Sequence, residues 1–524
     1  MAITGTFLTG TLELQYPTLL DFKEFPIWEK RCRNVYDQLP PYYRDKRPYQ
    51  WQFAAIYCLR SCNLFAGAMG IGKTLITLVK IRALYDLTKG RPGRIHIVVP
   101  SNTAFTEWKQ ELDRVIPGTY TVIQSEKDLL KATTPIFIYT IHLPKRKSAS
   151  GQYLSRYLSK RAKPNLLVID ELDAIGKESS LQFKELSRIR RSAKRVLGLT
   201  GTPAEHPHNI HTYCRFIYQN QWPFDNIKAF KAIYINQKEL NSHYISGTSV
   251  DDAIKKRVLP YVKFDKLPSW ASLLRRYIHR ANLDDANIRP YISVPDVNYI
   301  HLQSEPTADT LEGYEELVSR VKSKIVHLAE DSSSAAEALS LCISLLKKVN
   351  YPDHRTSKVE SLSILRTRRR TLLYTDLIGS GDYVEDYLKE MGLNYNRLKS
   401  SHTLDQRERI INNFKSDARE SQLVLMLPIR IGARALNFPM VDSIVFYCPG
   451  WRSVTLNQAM RRAARPGNQL DSVDIYLLYH LGCIDEHQIN VLAHKAEATQ
   501  QALDFYGYNN SDTPIGKEIL SKLK

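Results

Sequence analysis

No window of the 524 residues offers the roughly 18 uninterrupted apolar residues that a membrane span needs. The first ten residues lack the basic n-region of a secretory signal. Both absences point to the cytoplasm or a nucleoid and to no membrane partner. Cysteine is sparse, with seven in all: Cys32, Cys58, Cys62, Cys214, Cys342, Cys448 and Cys483. They form no CxxC pair, and Cys58 and Cys62, one helical turn apart, have no second pair of ligands nearby. Reduced, buried thiols are therefore expected, not a zinc site. Acid is also short: 54 Asp and Glu face 73 Lys and Arg, a net charge of +19. A surplus of that size points to a polyanionic partner, most often nucleic acid. The surplus is uneven, because residues 141–195 hold 14 Lys/Arg against 5 Asp/Glu.

Apolar residues make up 43% and charged residues 24% of the chain, which excludes a mostly disordered protein. At about 150 residues per domain the length implies three or four modules. Short apolar runs recur in two series. The first is Ile95–Val99, Ile136–Tyr139, Leu166–Ile169 and Val196–Leu199; the second is Thr371–Tyr374, Leu423–Leu427, Ile444–Tyr447 and Ile475–Tyr479. Longer amphipathic segments separate them. Continuous apolar strands alternating with helices predict parallel sheets covered on both faces, hence two α/β domains. Between the series, residues 307–349 read as helical with a break at Asp331–Ser334, and 223–290 is rich in aromatics and Lys/Arg. The expected layout is a small N-terminal module (1–45), a first domain (46–222), a mainly helical insertion or linker (223–360) and a second domain (361–524).

Gly67-Ala68-Met69-Gly70-Ile71-Gly72-Lys73-Thr74 fits G-x-x-x-x-G-K-[ST], preceded by the apolar Asn63–Ala66 and followed by a helical run. Gly67, Gly70 and Gly72 let backbone N–H groups approach phosphate, and the helix N-terminus favours its charge. Lys73 is expected to neutralise the β/γ-phosphates of ATP and Thr74 to hold Mg²⁺. Leu166–Ile169 runs into Asp170-Glu171. There Asp170 is the expected second anchor for Mg²⁺ and Glu171 the group that orients the attacking water.

In order along the chain, the Gly67–Thr74 loop, Asp170-Glu171-Leu172-Asp173, Leu199-Thr200-Gly201-Thr202-Pro203 and Gln458–Gly467 resemble motifs I, II, III and VI of superfamily 2 helicases. Within that superfamily the chain looks like the Snf2-type DNA translocases. Arg47-Pro48-Tyr49-Gln50 resembles the segment with their adenine-reading glutamine. Val98-Val99-Pro100 with Trp108 and Glu111 resembles motif Ia, and Thr356-Ser357-Lys358-Val359-Glu360 the S-K-[LV]-E signature. Trp451, seven residues before Gln458, and the Arg407/Phe414 spacing match as well. The resemblance covers about residues 46–500. It implies two tandem RecA-like domains with ATP and Mg²⁺ in the cleft between them. Gln50, Lys73, Thr74, Asp170 and Glu171 come from the first domain, and Arg462 and Arg465 from the second, Arg465 as the arginine finger. It also implies that Ser101, Thr140, Arg430 and Trp451 serve the nucleic acid, and that Thr200 and Thr202 link the two sites.

Two departures stand out. Motif II ends in Asp173 where Snf2 proteins usually have His. Motif V reads Ile431-Gly432-Ala433-Arg434-Ala435-Leu436-Asn437-Phe438, with two glycines replaced by alanine. The expected function is ATP-driven translocation or unwinding of duplex or branched DNA (fork regression or branch migration), in replication, recombination or repair. Small viral and bacterial members of the superfamily do such work. The basic stretch 145–163 and the 223–290 segment, with Tyr261, Trp270 and Tyr277, are the candidate extra DNA contacts, and nothing in the sequence demands more than a monomer. An RNA helicase, or a nucleic-acid-binding protein with a vestigial ATP site, is the alternative.

Overall fold

The computed structural model describes residues 24–40, 47–101, 103–201, 208–235, 266–283, 285, 288–326, 332–416, 422–432, 438–490 and 492. Two parallel sheets organise them. The first contains β1 (Cys62–Gly67), β2 (Ile95–Val99), β3 (Tyr120–Val122), β4 (Ile136–Thr140), β5 (Leu166–Ile169), β6 (Arg195–Thr200) and β7 (Ile278–Ala281), in the order β3-β4-β2-β5-β6-β1-β7. The second contains β8 (Asp296–Ser304), β9 (Arg370–Thr375), β10 (Tyr395–Arg397), β11 (Leu423–Pro428), β12 (Ser443–Phe446) and β13 (Ser472–His480), in the order β10-β11-β9-β12-β13-β8. Every pairing in both sheets is parallel. These are two tandem RecA-like α/β units.

Strand alternation builds a core on each face of each sheet. In the first, Phe65, Ile97, Val99, Val168, Leu197 and Leu199 point one way, and Leu64, Val98, Phe137, Leu167, Ile169 and Val196 the other. In the second, Leu372, Tyr374, Leu425, Phe446 and Leu477 oppose Leu373, Val424, Met426, Val445 and Leu478. Helices cover all four faces, which is why the strands read as unbroken apolar runs. No helix among the described residues is long and apolar enough to cross a membrane.

The segment expected as a helical insertion, 223–360, also supplies a strand to each sheet. β7 pairs with β1 and β8 with β13, each at its sheet's edge. Both escape an apolar-run search: β7 is four residues long and carries His279 and Arg280, both buried, and β8 is half-solvated and reads Asp-Val-Asn-Tyr-Ile-His-Leu-Gln-Ser. Helices Tyr314–Val326 and Ser332–Asn350 follow β8. The chain passes from β7 to β8 through 282–295, and Ile288, Tyr291 and Ile292 in that connection pack into the first core.

The aromatics of the insertion are not an outward surface. Trp270 is fully buried and Tyr277 nearly so. Trp270 lies 5.7 Å from Phe230 and 5.4 Å from Tyr234, and Tyr277 lies 5.0 Å from Trp222, centroid to centroid. This cluster seals one face of the first sheet, so Trp270 and Tyr277 do not meet a DNA junction. Large rings at that density are better accommodated inside a core than in water. Tyr261 lies outside the described residues.

Candidate nucleotide site and nucleic-acid face

The candidate residues collect at the C-terminal ends of the strands, where open parallel sheets place their ligands. β1 ends in the glycine loop, and the helix Lys73–Leu87 starts at its last two residues. Gly70 and Gly72 have φ of +92° and +86°, a conformation that side chains with a Cβ resist. Lys73 folds back over the loop, its Nζ donating to the carbonyls of Gly67 at 3.0 Å and Ala68 at 3.4 Å. Desolvation depresses the Lys73 pKa, the Glu171 and Asp170 carboxylates oppose that, and Arg462 and Arg465 add to the depression. Lys73 therefore sits among the four charged groups that the sequence singles out.

β6 lies between β1 and β5, so motif III separates the loop from the acidic pair. Thr200 ends β6, fully buried. At Gly201 a methyl group would stand 3.0 Å from Met69 Cγ and 3.4 Å from Lys73 Nζ, so motif III packs closely on the loop. Thr202 lies outside the described residues.

Asp170 follows β5 and is held on both oxygens. The indole N–H of Trp108 donates to Oδ2 at 2.9 Å, and the Glu171 backbone N–H to Oδ1 at 3.1 Å. Burial and the neighbouring Glu171 charge push the Asp170 carboxyl up to about 7, against the pull of the Trp108 N–H and of Lys73. Glu171 itself is left-handed, with φ of +48° and ψ of 66°. A non-glycine residue held there stores about 1–3 kcal/mol, and such strain concentrates at functional sites. Its Oε2 is buried with no hydrogen-bond partner. No group of three or more His, Cys, Asp or Glu among the described residues is arranged to hold a metal ion. The donors present are one hydroxyl (Thr74), one carboxylate (Asp170) and an orphaned carboxylate oxygen. They suit a hard cation that takes its remaining ligands from phosphate and water.

Gln50 lies on the helix Pro48–Leu59, almost wholly buried against the loop. Its Nε2 donates to the Ile71 carbonyl at 3.1 Å, and its Oε1 accepts from the Tyr36 hydroxyl at 2.9 Å.

The second sheet delivers Arg462 and Arg465 just past the helix Ser453–Met460. Arg462 is 4% exposed, and its carbonyl accepts from the Phe438 N–H at 3.1 Å. Next to Arg465, Pro466 reaches the glycine loop: a Cβ at Gly70 would lie 2.4 Å from Pro466 Cδ. The two sheets thus face each other across the candidate phosphate site.

The four expected nucleic-acid contacts are less uniform. Ser101 and Thr140 stand at the ends of the paired strands β2 and β4 (Val99 is registered with Thr140), and Ser101 Oγ is buried without a partner. Arg430 follows β11 with its side chain 82% exposed, its Nε 3.3 Å from Asp376 Oδ1. Trp451 is half-buried and packs edge-on to His487 at 6.4 Å, beside Tyr314, Val321 and Leu345. It is a packing residue of the second sheet's flank as much as a displayed ring. Of motif V, Ala433–Asn437 lie outside the described residues.

Two family models match in tandem: "Type III restriction enzyme, res subunit" over residues 45–205 and "Helicase conserved C-terminal domain" over 355–467. Among similar proteins, the ATP-dependent helicase BRM of Arabidopsis thaliana is 24% identical over 84% of this chain and 21% of its own length. The CHD3-type chromatin-remodeling factor CHR7 of the same plant is 22% identical over 94% and 37%. The chain is similar to superfamily 2 helicase cores of the Snf2 type. The chain spans about a fifth to two fifths of the length of those relatives. The Sulfolobus solfataricus SWI2/SNF2 ATPase core in complex with dsDNA aligns with 90% of this chain and 96% of its own, at 17% identity and a TM-score of 0.39.

Two residues of the site take parts that the sequence does not announce. Trp108 reads only as a motif match, since nothing in a helix pattern says that its indole reaches 62 residues ahead to Asp170. Tyr36 lies in the N-terminal stretch, and the 3.6-residue spacing of Cys32, Val35 and Tyr36 announces a packed helix but not its target.

Proposed function

We propose that this chain is an ATP-driven translocase on duplex DNA, with forks or junctions as its best substrate. The observation that carries the reading is the meeting of Lys73, Asp170 and Glu171 from one sheet with Arg462, Arg465 and Pro466 from the other. The triphosphate would lie along the glycine loop, where its charge replaces the water that Lys73 has lost. Thr74 and Asp170 would hold Mg²⁺, which supplies charge neutralisation on the β- and γ-phosphates. Glu171, with a free buried oxygen, orients the attacking water. Arg465 stabilises charge on the transferring phosphoryl group, an effect worth about 10³–10⁵ in rate where such fingers are known. Arg462, more deeply buried, holds the helix end that presents it.

Closure of the sheets on ATP and release after hydrolysis give a two-state element. Ser101 and Thr140 on one sheet and Arg430 on the other would grip the backbone in turn. Exposed Arg146, Lys147, Arg156, Lys160 and Arg161 just beyond β4 support a second arm of DNA, and hence a branched substrate. The test is the ATPase rate against single-stranded DNA, linear duplex, a fork, a four-way junction and structured RNA, with Lys73→Ala as blank. Strongest stimulation by fork or junction is expected. Equal stimulation by linear duplex would remove the branched preference, stimulation by RNA alone would overturn the DNA assignment, and none at all would favour a vestigial site.

A further inference from the structure

We propose that Tyr36, on the helix Phe25–Asp37, is a positioning residue that pins the Gln50 amide and so sets the preference for adenine over guanine nucleotides. The proposal rests on the nucleotide reading above. It also brings into the site a helix that lies outside the matched family segments.

A primary amide reads a base only if its oxygen and nitrogen ends are distinguished and held still. The Ile71 carbonyl, an obligatory acceptor, takes an N–H of Gln50 and so decides which end is nitrogen. The Tyr36 hydroxyl, donating to Oε1, fixes the other end. Tyr36 and Gln50 are each 2% exposed, so solvent offers neither a substitute partner. With both anchors in place, one N–H and one lone pair of the amide remain. That pair complements an edge carrying one acceptor and one donor, as adenine N7 and its 6-amino group do. Guanine presents N7 and O6, two acceptors, and the free lone pair of Oε1 would face O6. Tyr36 is itself held: it packs in the helix interface with Cys32 and Val35, and its ring lies 5.1 Å from that of Trp51, the residue after Gln50. Removing the hydroxyl leaves Oε1 without its anchor and lets the side chain leave the reading position.

The experiment measures kcat and KM with ATP and with GTP for the full chain and for Tyr36→Phe, Gln50→Ala and the double variant, with thermal melts alongside. Tyr36→Phe is expected to reduce the ATP/GTP ratio of kcat/KM about tenfold, and to change it no further in the Gln50→Ala background. A merely structural role would lower kcat for both nucleotides alike and leave the ratio intact. If Gln50→Ala loses the preference while Tyr36→Phe keeps it, the role of Tyr36 is overturned and the nucleotide site stands. If both variants keep it, Gln50 does not read the base and the proposal falls with that assignment. Hydrolysis of neither nucleotide by the unaltered chain would overturn the proposed function itself, and this inference with it.

Discussion

Trp108 shows how much a single side chain contributes to the acidic pair. Its indole nitrogen is donor only and cannot ionise, so it holds Asp170 Oδ2 without competing for a proton. Trp108→Phe would leave that buried oxygen unsatisfied, at a cost of about 1–3 kcal/mol. A fall in thermal midpoint and roughly tenfold weaker Mg²⁺-dependent binding of a fluorescent ADP analogue are expected, with little change in metal-free binding. Equal losses with and without Mg²⁺ would refute a role specific to the carboxylate. The glycines permit a cleaner comparison. Gly70 and Gly467 have nearly the same φ, +92° and +93°, but a methyl at Gly70 strikes Pro466 whereas one at Gly467 meets nothing within 4 Å. A strained positive φ is therefore common to both alanine variants and the collision is not. Gly70→Ala should lower the ATPase rate at least about tenfold more than Gly467→Ala does, and similar rates in the two would show that Pro466 need not reach the loop.

Among the elements, the signature Thr356–Glu360 has a structural explanation. Lys358 is fully buried, 2.9 Å from Asp485 Oδ2 and 2.8 Å from Asn350 Oδ1, with its ammonium 4.7 Å from the centre of the Tyr447 ring. It ties the turn before β9 to the segment after β13. Burial alone would raise the Asp485 carboxyl, but Lys358 and His480 together hold it below the usual carboxylate range. A depressed folded-state pKa contributes stability above the ordinary carboxylate value, and that contribution is lost as pH falls through the folded value. Lys358→Met should cost about 3–5 kcal/mol, because it strands a buried charge. It should also flatten the acid limb of a melting-temperature profile below about pH 4. An unchanged acid limb would count against the ion pair as its source. What was legible in the sequence follows the same logic of burial. β2, β4, β5, β6, β9, β11, β12 and β13 are covered on both faces, so their apolar runs announced them. β3 and β10 span three residues each, too few for a pattern; β8 carries polar residues because its edge is half-solvated, and the four residues of β7 include the buried polar pair His279 and Arg280. The loop and the acidic pair were readable because their chemistry is local. The Tyr36–Gln50 and Trp108–Asp170 bonds were not, since they join elements that only the fold brings together.

Over the whole molecule the surplus of positive charge becomes a measurable slope. Each phosphate neutralised on duplex DNA contributes about −0.9 to the log–log dependence of affinity on salt. Replacing Arg146, Lys147, Arg156 and Lys160 by Gln should make the slope shallower by up to that amount for each phosphate no longer neutralised, and more on a four-way junction than on linear duplex. An unchanged slope on both would return this patch to the status of a solvated face.

On the proposed translocation, the connection from β7 to β8 transmits force between the two sheets. Its outer part is anchored, with Ile288, Tyr291 and Ile292 packed on the first core, and β8 begins at Asp296. The pivot of that proposed motion, its spine, falls in Ser293–Pro295, exposed at Ser293 and buried again at Pro295, and the far margins are the opposite sheet edges β3 and β10. A short spine is a stiff clutch: a small rotation at the nucleotide becomes a longer sweep at the far margins. Lengthening Ser293–Pro295 by a few glycines should therefore let the engine idle. Phosphate release would continue while fewer base pairs are travelled per ATP consumed, a slippage that a single-molecule track would read directly.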